Sequence, residues 1–508
     1  MEDHTVRDAE LAEKNETTHQ EALHHGKLTA DELEIEKKLR RKIDIRIMPL
    51  VILVYLMNYI DRNNYAAARL QGLVEDLHLV GDQYQVGLSI LFVGYILMQV
   101  PSNLLLNYAG RPSWYLGFFI IAWGLVSALT CLATNYAGIV ACRFFLGLVE
   151  APFFPGVLFY LSKWYTKEEL SKRMAMFYSG SLVSGAFGNL IAAGILSGLA
   201  GKRGLSAWQW LYIIEGSITI FVGLVVIVVL PDFPDTWKSL DIEMKRVANR
   251  RLALDAAEVD VDEAGGMSQI RGMKLAFQDP KTYMLALAYF CITGSSGFQN
   301  FFPTLTRTLG YNNTISLLLV APPYIFMVIY SFCHCYVSDH IGNRFWFLTY
   351  PAFIAIAGFL IFMFTDSFGP RYFSFFLLIF VFAQNGVIYA WISNAIPRPP
   401  AKRAAALAFI NSVGNSASIW TPFTYWPSSG PHYRPALGIC IGLEVLAVIC
   451  FVALRFTLQR QNKRLEALER MGGDLDEREA KKLEKTAEVE GIDIRTAREM
   501  QKGYRYML

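Results

Sequence analysis

The sequence has 508 residues, of which 53% are hydrophobic and only 18% are charged. Soluble domains carry about a quarter charged residues, so this composition argues against a soluble enzyme. The charges concentrate at both ends and in a central segment, and the long apolar stretches between them must therefore face lipid. The net charge of +3 is too small for a nucleic-acid-binding surface, so we predict no nucleic-acid partner.

Apolar runs of about 20 residues predict an all-α membrane protein with twelve spanning helices in two six-helix bundles. The bundles occupy residues 47–230 and 281–456. The polar remainder comprises an N-terminal tail over 1–46, a central loop over 231–280 and a C-terminal tail over 457–508. The predicted spans lie near 47–67, 86–107, 114–133, 136–161, 175–199, 210–230, 283–302, 314–337, 345–364, 371–393, 404–426 and 435–456.

Basic residues set the predicted orientation of these helices. Lysines and arginines gather before the first helix, in the loop between the fourth and fifth helices, and just after the last helix. The positive-inside rule places all three clusters in the cytoplasm, together with both tails. Residues 1–46 contain no apolar core of their own, so we expect the first helix, and no cleavable signal peptide, to direct membrane insertion. Asn312 lies in an Asn-x-Thr sequence that then faces outward, and it is a candidate glycosylation site.

Cofactor and metal chemistry find little support in the sequence. Cys333, His334 and Cys335 are adjacent, but structural zinc normally requires four ligands and the flanking residues supply no others. Most of the remaining cysteines lie within apolar runs, where a thiol behaves as a small hydrophobe. No nucleotide-binding loop or nucleophile motif is present in the sequence. We therefore predict no metal, no cofactor and no enzymatic activity.

Four ionisable residues inside the predicted spans indicate a functional site. Asp61 and Arg62 lie in the first span, and Arg143 and Glu150 lie in the fourth. Each costs roughly 2.5–3.5 kcal/mol to insert, so each needs a partner or a role. Arg143 and Glu150 are two helical turns apart and share a face. An arginine suits a carboxylate substrate and a carboxyl group suits a coupled proton, although the four residues could instead form buried structural ion pairs.

Further polar residues in the spans could complete the site or only hold helices together. Two six-helix bundles are typical of a transporter with a midplane binding site. Buried amides and hydroxyls could bind a substrate there or could bond to neighbouring helices. Glu215 and Glu444 are also predicted to be intramembrane carboxyls, Glu215 with a packing, gating or proton role and Glu444 with a structural one. The candidate ligands in the second bundle are Ser295, Gln299, Asn300, Gln384, Asn385, Tyr389, Asn411 and Asn415.

Four motifs of the chain are specific enough to compare with known families. They are DRNN in the first helix, RFFLGLVEAPFFPGVLFYLSKWYTKEELSKRMAMFYSG in the fourth and fifth, WQWLYIIEG in the sixth, and VSDHIGNR after the eighth. These motifs resemble those of the major facilitator superfamily, and in particular the anion:cation symporters of the fungal allantoate-permease-like branch. The similarity runs from roughly residue 45 to residue 456, and the motif of the fourth and fifth helices is its strongest part.

The resemblance implies proton-driven transport of a small organic anion such as allantoate, nicotinate, pantothenate or biotin. By motif matching, Arg62 and Arg143 would face the anion. Asp61 and Glu150 would take part in proton coupling.

The resemblance also implies gating loops on the cytoplasmic side. Asp339, Gly342 and Arg344 match the superfamily's loop motif, whose charges latch helix ends. The corresponding loop of the first half keeps Gly110 and Arg111 but lacks the acidic residue.

We therefore predict a monomeric, proton-coupled importer of a small carboxylate in a fungal plasma membrane. An exporter of an acidic secondary metabolite is the main alternative, because gradients can drive this scaffold in either direction. A nutrient sensor that binds without transporting is a third. The sequence does not identify the anion, the direction of transport or which carboxyl carries the proton.

Overall fold

The computed structural model describes residues 28, 30–108, 111–234, 236–262, 269–396, 400–470 and 505–507. Regular secondary structure within these ranges is entirely helical. Nine of the described helices are long and apolar enough to cross a membrane. Together with three further helices they form the predicted all-α fold of twelve membrane helices, named α1 to α12 below.

The N-terminal half contains six helices, and α4 is broken near its middle. Pro152 lies at this break, and proline cannot donate the backbone hydrogen bond that would continue a helix. Helix α3 packs along α6, α2 along α4, and α1 along α5. The bounds are α1 Ala30–Leu70, α2 Gln83–Tyr108, α3 Pro112–Leu129, α4 Tyr136–Glu150 and Phe153–Ser162, α5 Lys167–Leu199, and α6 Ala207–Val229, with a short helix at Leu73–Asp76 and 3₁₀ turns at Thr130–Leu132 and Lys202–Gly204.

The C-terminal half also contains six helices, and α7, α8 and α10 are interrupted. Such interruptions in membrane helices are typical where the backbone lines a cavity. The bounds are α7 Pro280–Ser295, Ser296–Phe301 (3₁₀) and Phe302–Arg307; α8 Asn313–Leu318 and Ala321–Ile341; α9 Phe345–Phe364; α10 Phe368–Leu378, Ile379–Phe382 (3₁₀) and Ala383–Ala395; α11 Pro400–Trp420 with a 3₁₀ turn Thr421–Thr424; and α12 Arg434–Arg470, preceded by a 3₁₀ turn Pro427–Ser429.

Contacts between the two halves close the end of the molecule that the positive-inside rule predicts to face outward, called the outer end below. Gln85 Nε2 donates to the Tyr425 carbonyl oxygen at 3.3 Å. Asn313 Nδ2 donates to the Leu70 carbonyl oxygen at 2.7 Å. The Arg69 guanidinium also lies 5.8 Å from the ring centroid of Phe301 in the other half. A ligand between the halves is therefore separated from the outside by this layer.

The segments of the first half that are predicted to be cytoplasmic pack against one another. Helix α1 has 41 residues, about 60 Å, so its first turns extend well beyond the bilayer core. The central segment contains two helices, Ile242–Asp262 and Gln269–Gln278. Arg250 Nη1 donates to Glu32 at 2.6 Å. Arg251 Nη1 lies 3.1 Å from a carboxylate oxygen of Glu169, which is at the start of α5. These ion pairs attach the central segment to the N-terminal half.

Candidate functional site

A cavity lies between the two halves, on the cytoplasmic side of the outer closure. Its empty volume, including the part open to solvent, is about 900 Å³. Arg62 lies seven residues before Arg69 in α1, so the cavity begins about 10 Å below the outer contact. The sequence-predicted residues that line the cavity are Arg62, Arg143, Gln299, Asn300, Asn385 and Asn415.

Glu150 is the last residue of the first α4 segment and forms an ion pair across to α1. Arg62 Nε donates to Glu150 Oε1 in a direct ion pair. Asn58 Nδ2, one turn before Arg62, donates to the same oxygen at 2.6 Å. The Arg62 guanidinium also lies 4.6 Å from the Tyr95 ring centroid, which provides a cation–π contact. Arg62 is thus neutralised by Glu150, while part of its side chain still lines the cavity.

Arg143 lines the same cavity with a different set of partners. Its side chain is buried, and its Nε donates to the Gly87 carbonyl oxygen at 3.2 Å. The guanidinium lies 4.7 Å from the Tyr65 ring centroid. Its Nη1 has no hydrogen-bond partner, and Arg143 forms no ion pair within the described part of the chain. Arg143 is therefore a buried cation at the cavity wall without a direct ion pair among the described residues.

Glycines make this arrangement of α2 and α4 sterically feasible. A side chain at Gly147 would place its Cβ 2.0 Å from the Leu91 carbonyl oxygen. A side chain at Gly94, in α2, would place its Cβ against the Phe144 carbonyl oxygen of α4. The close backbone approach brings the Gly87 carbonyl oxygen within reach of Arg143. Gly147 thus allows α2 and α4 to approach closely, and the same stretch of sequence, GLVE at 147–150, supplies Glu150.

Asp61 neighbours Arg62 in sequence, but it lies about 100° further round α1 and outside the cavity lining. It is buried against α3 and α6, where Ser127 Oγ donates at 2.9 Å and Thr219 Oγ1 donates at 3.0 Å. Trp123 Nε1 donates at 3.2 Å. Asp61 therefore has three neutral donors and is separated from Arg62 by the helix backbone. Glu215 is also buried in this region of the N-terminal half.

In the C-terminal half, only some of the predicted ligands reach the cavity. Asn415 lines it, and its Nδ2 donates to Asn411 Oδ1 at 3.2 Å. The Tyr389 hydroxyl oxygen lies 3.0 Å from the same Asn411 oxygen and 2.8 Å from the Tyr289 hydroxyl oxygen. Asn411 and Tyr389 therefore form a layer behind the cavity wall and hold Tyr289 and Asn415 in place.

Glu444 is buried behind the C-terminal wall. Ser295 Oγ donates to one of its oxygens, and Gln384 Nε2 donates to the other at 2.9 Å. These bonds join α12 to α7 and α10 at positions next to Ser296 and Asn385, which line the cavity. Ser295 and Gln384 contact Glu444 and do not line the cavity.

The cytoplasmic loop residues occupy helix ends. Arg344 Nη1 lies 2.6 Å from an Asp339 carboxylate oxygen. Between them, Gly342 ends α8 with a φ of +69°, a conformation that glycine adopts without strain. Arg111 directly precedes α3 and is exposed, whereas Gly110 lies outside the described residues. At the outer end of α8, the Asn312 side chain caps the helix by accepting from the Ile315 N–H at 2.8 Å.

Aromatic residues form a part of the wall that sequence motifs did not identify. The relevant residues are scattered along the chain, and aromatic residues are common in membrane spans for packing alone. Asn58 was also missed, because no motif singles it out. Its position one turn before Arg62 could have indicated that it shares a partner with Arg62. The aromatic lining comprises Tyr59, Phe92, Tyr289, Tyr324 and Phe382.

Residues 51–422 match the family model described as Major Facilitator Superfamily. The chain belongs to the Major Facilitator Superfamily. An uncharacterized transporter of Schizosaccharomyces pombe is 34% identical over 86% of the chain and 90% of its own length. The MFS-type transporter cnsO of Penicillium expansum is 34% identical over 85% of each chain. The protein is therefore a multi-pass membrane transporter and not an enzyme.

Solved structures of this superfamily share the fold. The proton:xylose symporter XylE bound to 6-bromo-6-deoxy-D-glucose has a TM-score of 0.60, with 14% identity over 79% of this chain and 94% of that one. The inward-facing, unoccupied form of a bacterial homologue of the human lysosomal transporter Spinster has a TM-score of 0.59, with 16% identity over 80% of this chain and 94% of that one. At these identities the likeness concerns the fold alone.

Proposed function

We propose that this transporter is a proton-coupled symporter of a small organic anion, of the anion:cation symporter type, acting as a monomer in the plasma membrane. One observation carries the proposal. Arg143 is a buried guanidinium at the cavity wall with an unbonded Nη1 and no direct ion pair among the described residues. Burying a cation without a direct ion pair is costly, and a carboxylate in the cavity would supply that pair and its hydrogen bonds.

Glu150 provides a physical link between the anion and a proton. While its carboxylate is ionised, Glu150 is the counter-ion of Arg62. When a proton neutralises Glu150, Arg62 becomes available to the substrate, and the two guanidiniums together suit a carboxylate. An anion bound at Arg62 likewise favours the protonated form of Glu150. Each ligand therefore strengthens the binding of the other, as linkage requires.

The surroundings of the two candidate carboxyls favour Glu150 over Asp61 as the proton carrier. Glu150 bonds to a residue that lines the cavity, so its protonation changes the charge that a substrate meets. Asp61 instead receives three hydrogen bonds from α3 and α6, away from the cavity. We assign Asp61 a supporting part in coupling, through its hold on the packing of α1.

The rest of the wall suits a compact acid with polar or planar groups. Asn300, Asn385 and Asn415 offer amides from three different helices of the second half. Tyr59 and Tyr289 add aromatic surface with hydroxyl groups. A nicotinate-like or allantoate-like carboxylate can use both kinds of contact. Asp339, Gly342 and Arg344 would gate the cytoplasmic side, with Gly110 and Arg111 in the corresponding loop of the first half.

The test is uptake by the purified protein in liposomes. A panel of radiolabelled carboxylates, with neutral analogues as controls, is offered with and without an inward proton gradient. We expect at least one carboxylate to accumulate only when the gradient is present. Accumulation that is the same with and without the proton gradient would contradict proton coupling. Transport of the neutral analogues alone would contradict an anionic substrate.

A further inference from the structure

A short segment of the distal C-terminal tail, Arg505–Met507, lies on the cytoplasmic side of the C-terminal half. Its main anchor is Asn462, in the part of α12 that continues beyond the predicted span. Asn462 Nδ2 donates to the Tyr506 carbonyl oxygen at 2.9 Å. The Tyr506 backbone N–H donates to Asn462 Oδ1 at 2.9 Å. One amide side chain thus satisfies both backbone groups of Tyr506.

Three other helix positions bind the same segment, which we call the strap. Trp391 Nε1, in α10, donates to the Met507 carbonyl oxygen at 3.1 Å. Asn394 Nδ2, one turn further along α10, contacts Met507 Sδ at 3.3 Å. At the start of α7, Lys281 Nζ lies 4.7 Å from the Tyr506 ring centroid. The strap therefore touches α7, α10 and α12 at once.

The receiving groups form a built site. With the strap in place the Trp391 side chain is fully buried, and its indole N–H donates to the strap. Lys281 is buried as well, and its ammonium also donates to the Ala395 carbonyl oxygen at 2.7 Å, at the end of α10. The strap and Lys281 thus hold the same helix end.

The helix held in this way carries part of the cavity wall. The segment Ala383–Ala395 of α10 follows a 3₁₀ turn at Ile379–Phe382, where the helical hydrogen-bond pattern changes. Such a turn can act as a hinge. Asn385 lies just after the turn and lines the cavity, whereas Trp391 and Asn394 lie near the other end and bind the strap. A restraint at the cytoplasmic end therefore limits how far this segment can pivot.

We propose that Arg505–Met507 is an internal strap that restrains the cytoplasmic segment of α10 and thereby slows the conformational cycle of transport. Tyr506 is only partly buried and Met507 is exposed, so the strap can be released without unfolding the bundle. Release frees α10 to pivot about its 3₁₀ turn. This inference concerns the transport cycle and does not depend on which solute is carried.

Hydrogen exchange on the full-length protein in lipid nanodiscs tests the restraint without any substrate. Two variants remove the strap independently: a deletion of residues 505–508, and Asn462→Ala in the full chain. Lys463→Ala, at an exposed neighbouring position of α12, is the matched control. We expect both strap variants to exchange at least fivefold faster at the cytoplasmic end of α10, with α4 and the control unchanged. Unchanged exchange in both strap variants would overturn the proposal.

A peptide added in trans distinguishes a specific restraint from general loosening. The octapeptide of residues 501–508 should restore slow exchange to the deletion variant, and the same peptide carrying Tyr506→Ala should not. In liposomes, the deletion should raise the initial uptake of a carboxylate from the panel several-fold, and the octapeptide should reverse this. An inactive peptide, or slower uptake by the deletion variant, would show that the strap does not restrain transport. If no carboxylate is transported, the anion proposal fails while the exchange results still decide on the strap.

Discussion

The two walls of the cavity differ in chemistry. Among the described lining residues, the charged side chains belong to the N-terminal half, where Arg62 and Arg143 face the cavity. The wall of the C-terminal half is neutral, with Asn300, Asn385 and Asn415 among its polar groups. The two halves thus have a similar architecture but contribute different chemical groups to the cavity wall. Under the proposed function, the first half provides charge and the coupled proton, and the second half provides shape and hydrogen bonds for selecting among substrates.

The buried carboxyls show the same contrast. Glu150 in the first half is paired with a guanidinium that reaches the cavity. Glu444 in the second half receives hydrogen bonds from Ser295 and Gln384, both neutral, and lies behind the wall. A carboxyl with a cationic partner can transmit its protonation state to a bound anion. One with neutral partners mainly holds helices together, so Glu444 stabilises α7, α10 and α12.

The difference between the charged wall and the neutral wall predicts its largest effect on substrate binding at Arg143. Arg143→Ala should weaken binding of the transported carboxylate roughly 100-fold or more, since truncating one partner of a buried charge pair costs about 2–5 kcal/mol. Arg143→Lys should recover part of that loss. Binding is measured by titrating the labelled carboxylate on purified protein, with Lys202→Ala in an exposed outer loop as the control. If Arg143→Ala and the control bound the carboxylate with equal affinity, Arg143 would not be part of the anion site.

Glu150→Gln should separate transport from its driving force. The amide keeps the size of the side chain but cannot exchange a proton, so the variant should still exchange substrate across the membrane. It should lose accumulation, which for one coupled proton is about tenfold per pH unit of gradient. Counterflow and gradient-driven uptake in the same liposomes measure the two properties. Asp61→Asn is the companion variant. Loss of accumulation only in Asp61→Asn would reverse the assignment of the carrier.

Arg62→Lys should have a smaller effect than the loss of Arg143. Lysine keeps the charge next to Glu150 but lacks the planar fork that binds a carboxylate through two hydrogen bonds. We expect about tenfold weaker binding, or about 1.4 kcal/mol, with normal expression. The affinity of the purified variant is the measurement, and a value equal to that of the parent would count against a substrate contact.

The neutral wall should show the smallest effects on affinity and the clearest ones on selection. Asn385→Ala or Asn415→Ala each removes one hydrogen bond, worth about 1 kcal/mol, so affinity should fall roughly fivefold. The order of preference within the carboxylate panel should change, while the dependence on the proton gradient should not. Competition assays against the best carboxylate provide the measurement. Lost proton dependence in these variants would mean that coupling is shared by both halves.

The fold could be predicted because long apolar runs and basic loops constrain a membrane chain strongly. The site could be predicted only in part. Asp61 and Arg62 are adjacent, and about 100° of helical rotation sends them to opposite surroundings. The partners of Asp61 are neutral residues of α3 and α6, far along the chain. Helical periodicity places Arg143 and Glu150 on one face, but it cannot show that Glu150 pairs with Arg62.

The ion pair between Glu32 and Arg250 bears on the order of synthesis. Arg250 follows Glu32 by 218 residues, and it lies beyond the last helix of the first half. At about 5–20 residues per second, the ribosome takes roughly 10–40 s to supply it. The beginning of α1 must therefore wait for the central segment before this contact can form. The helices of the first bundle and both residues of this ion pair precede α7 in the chain. The first bundle can therefore be completed while the second is still being translated.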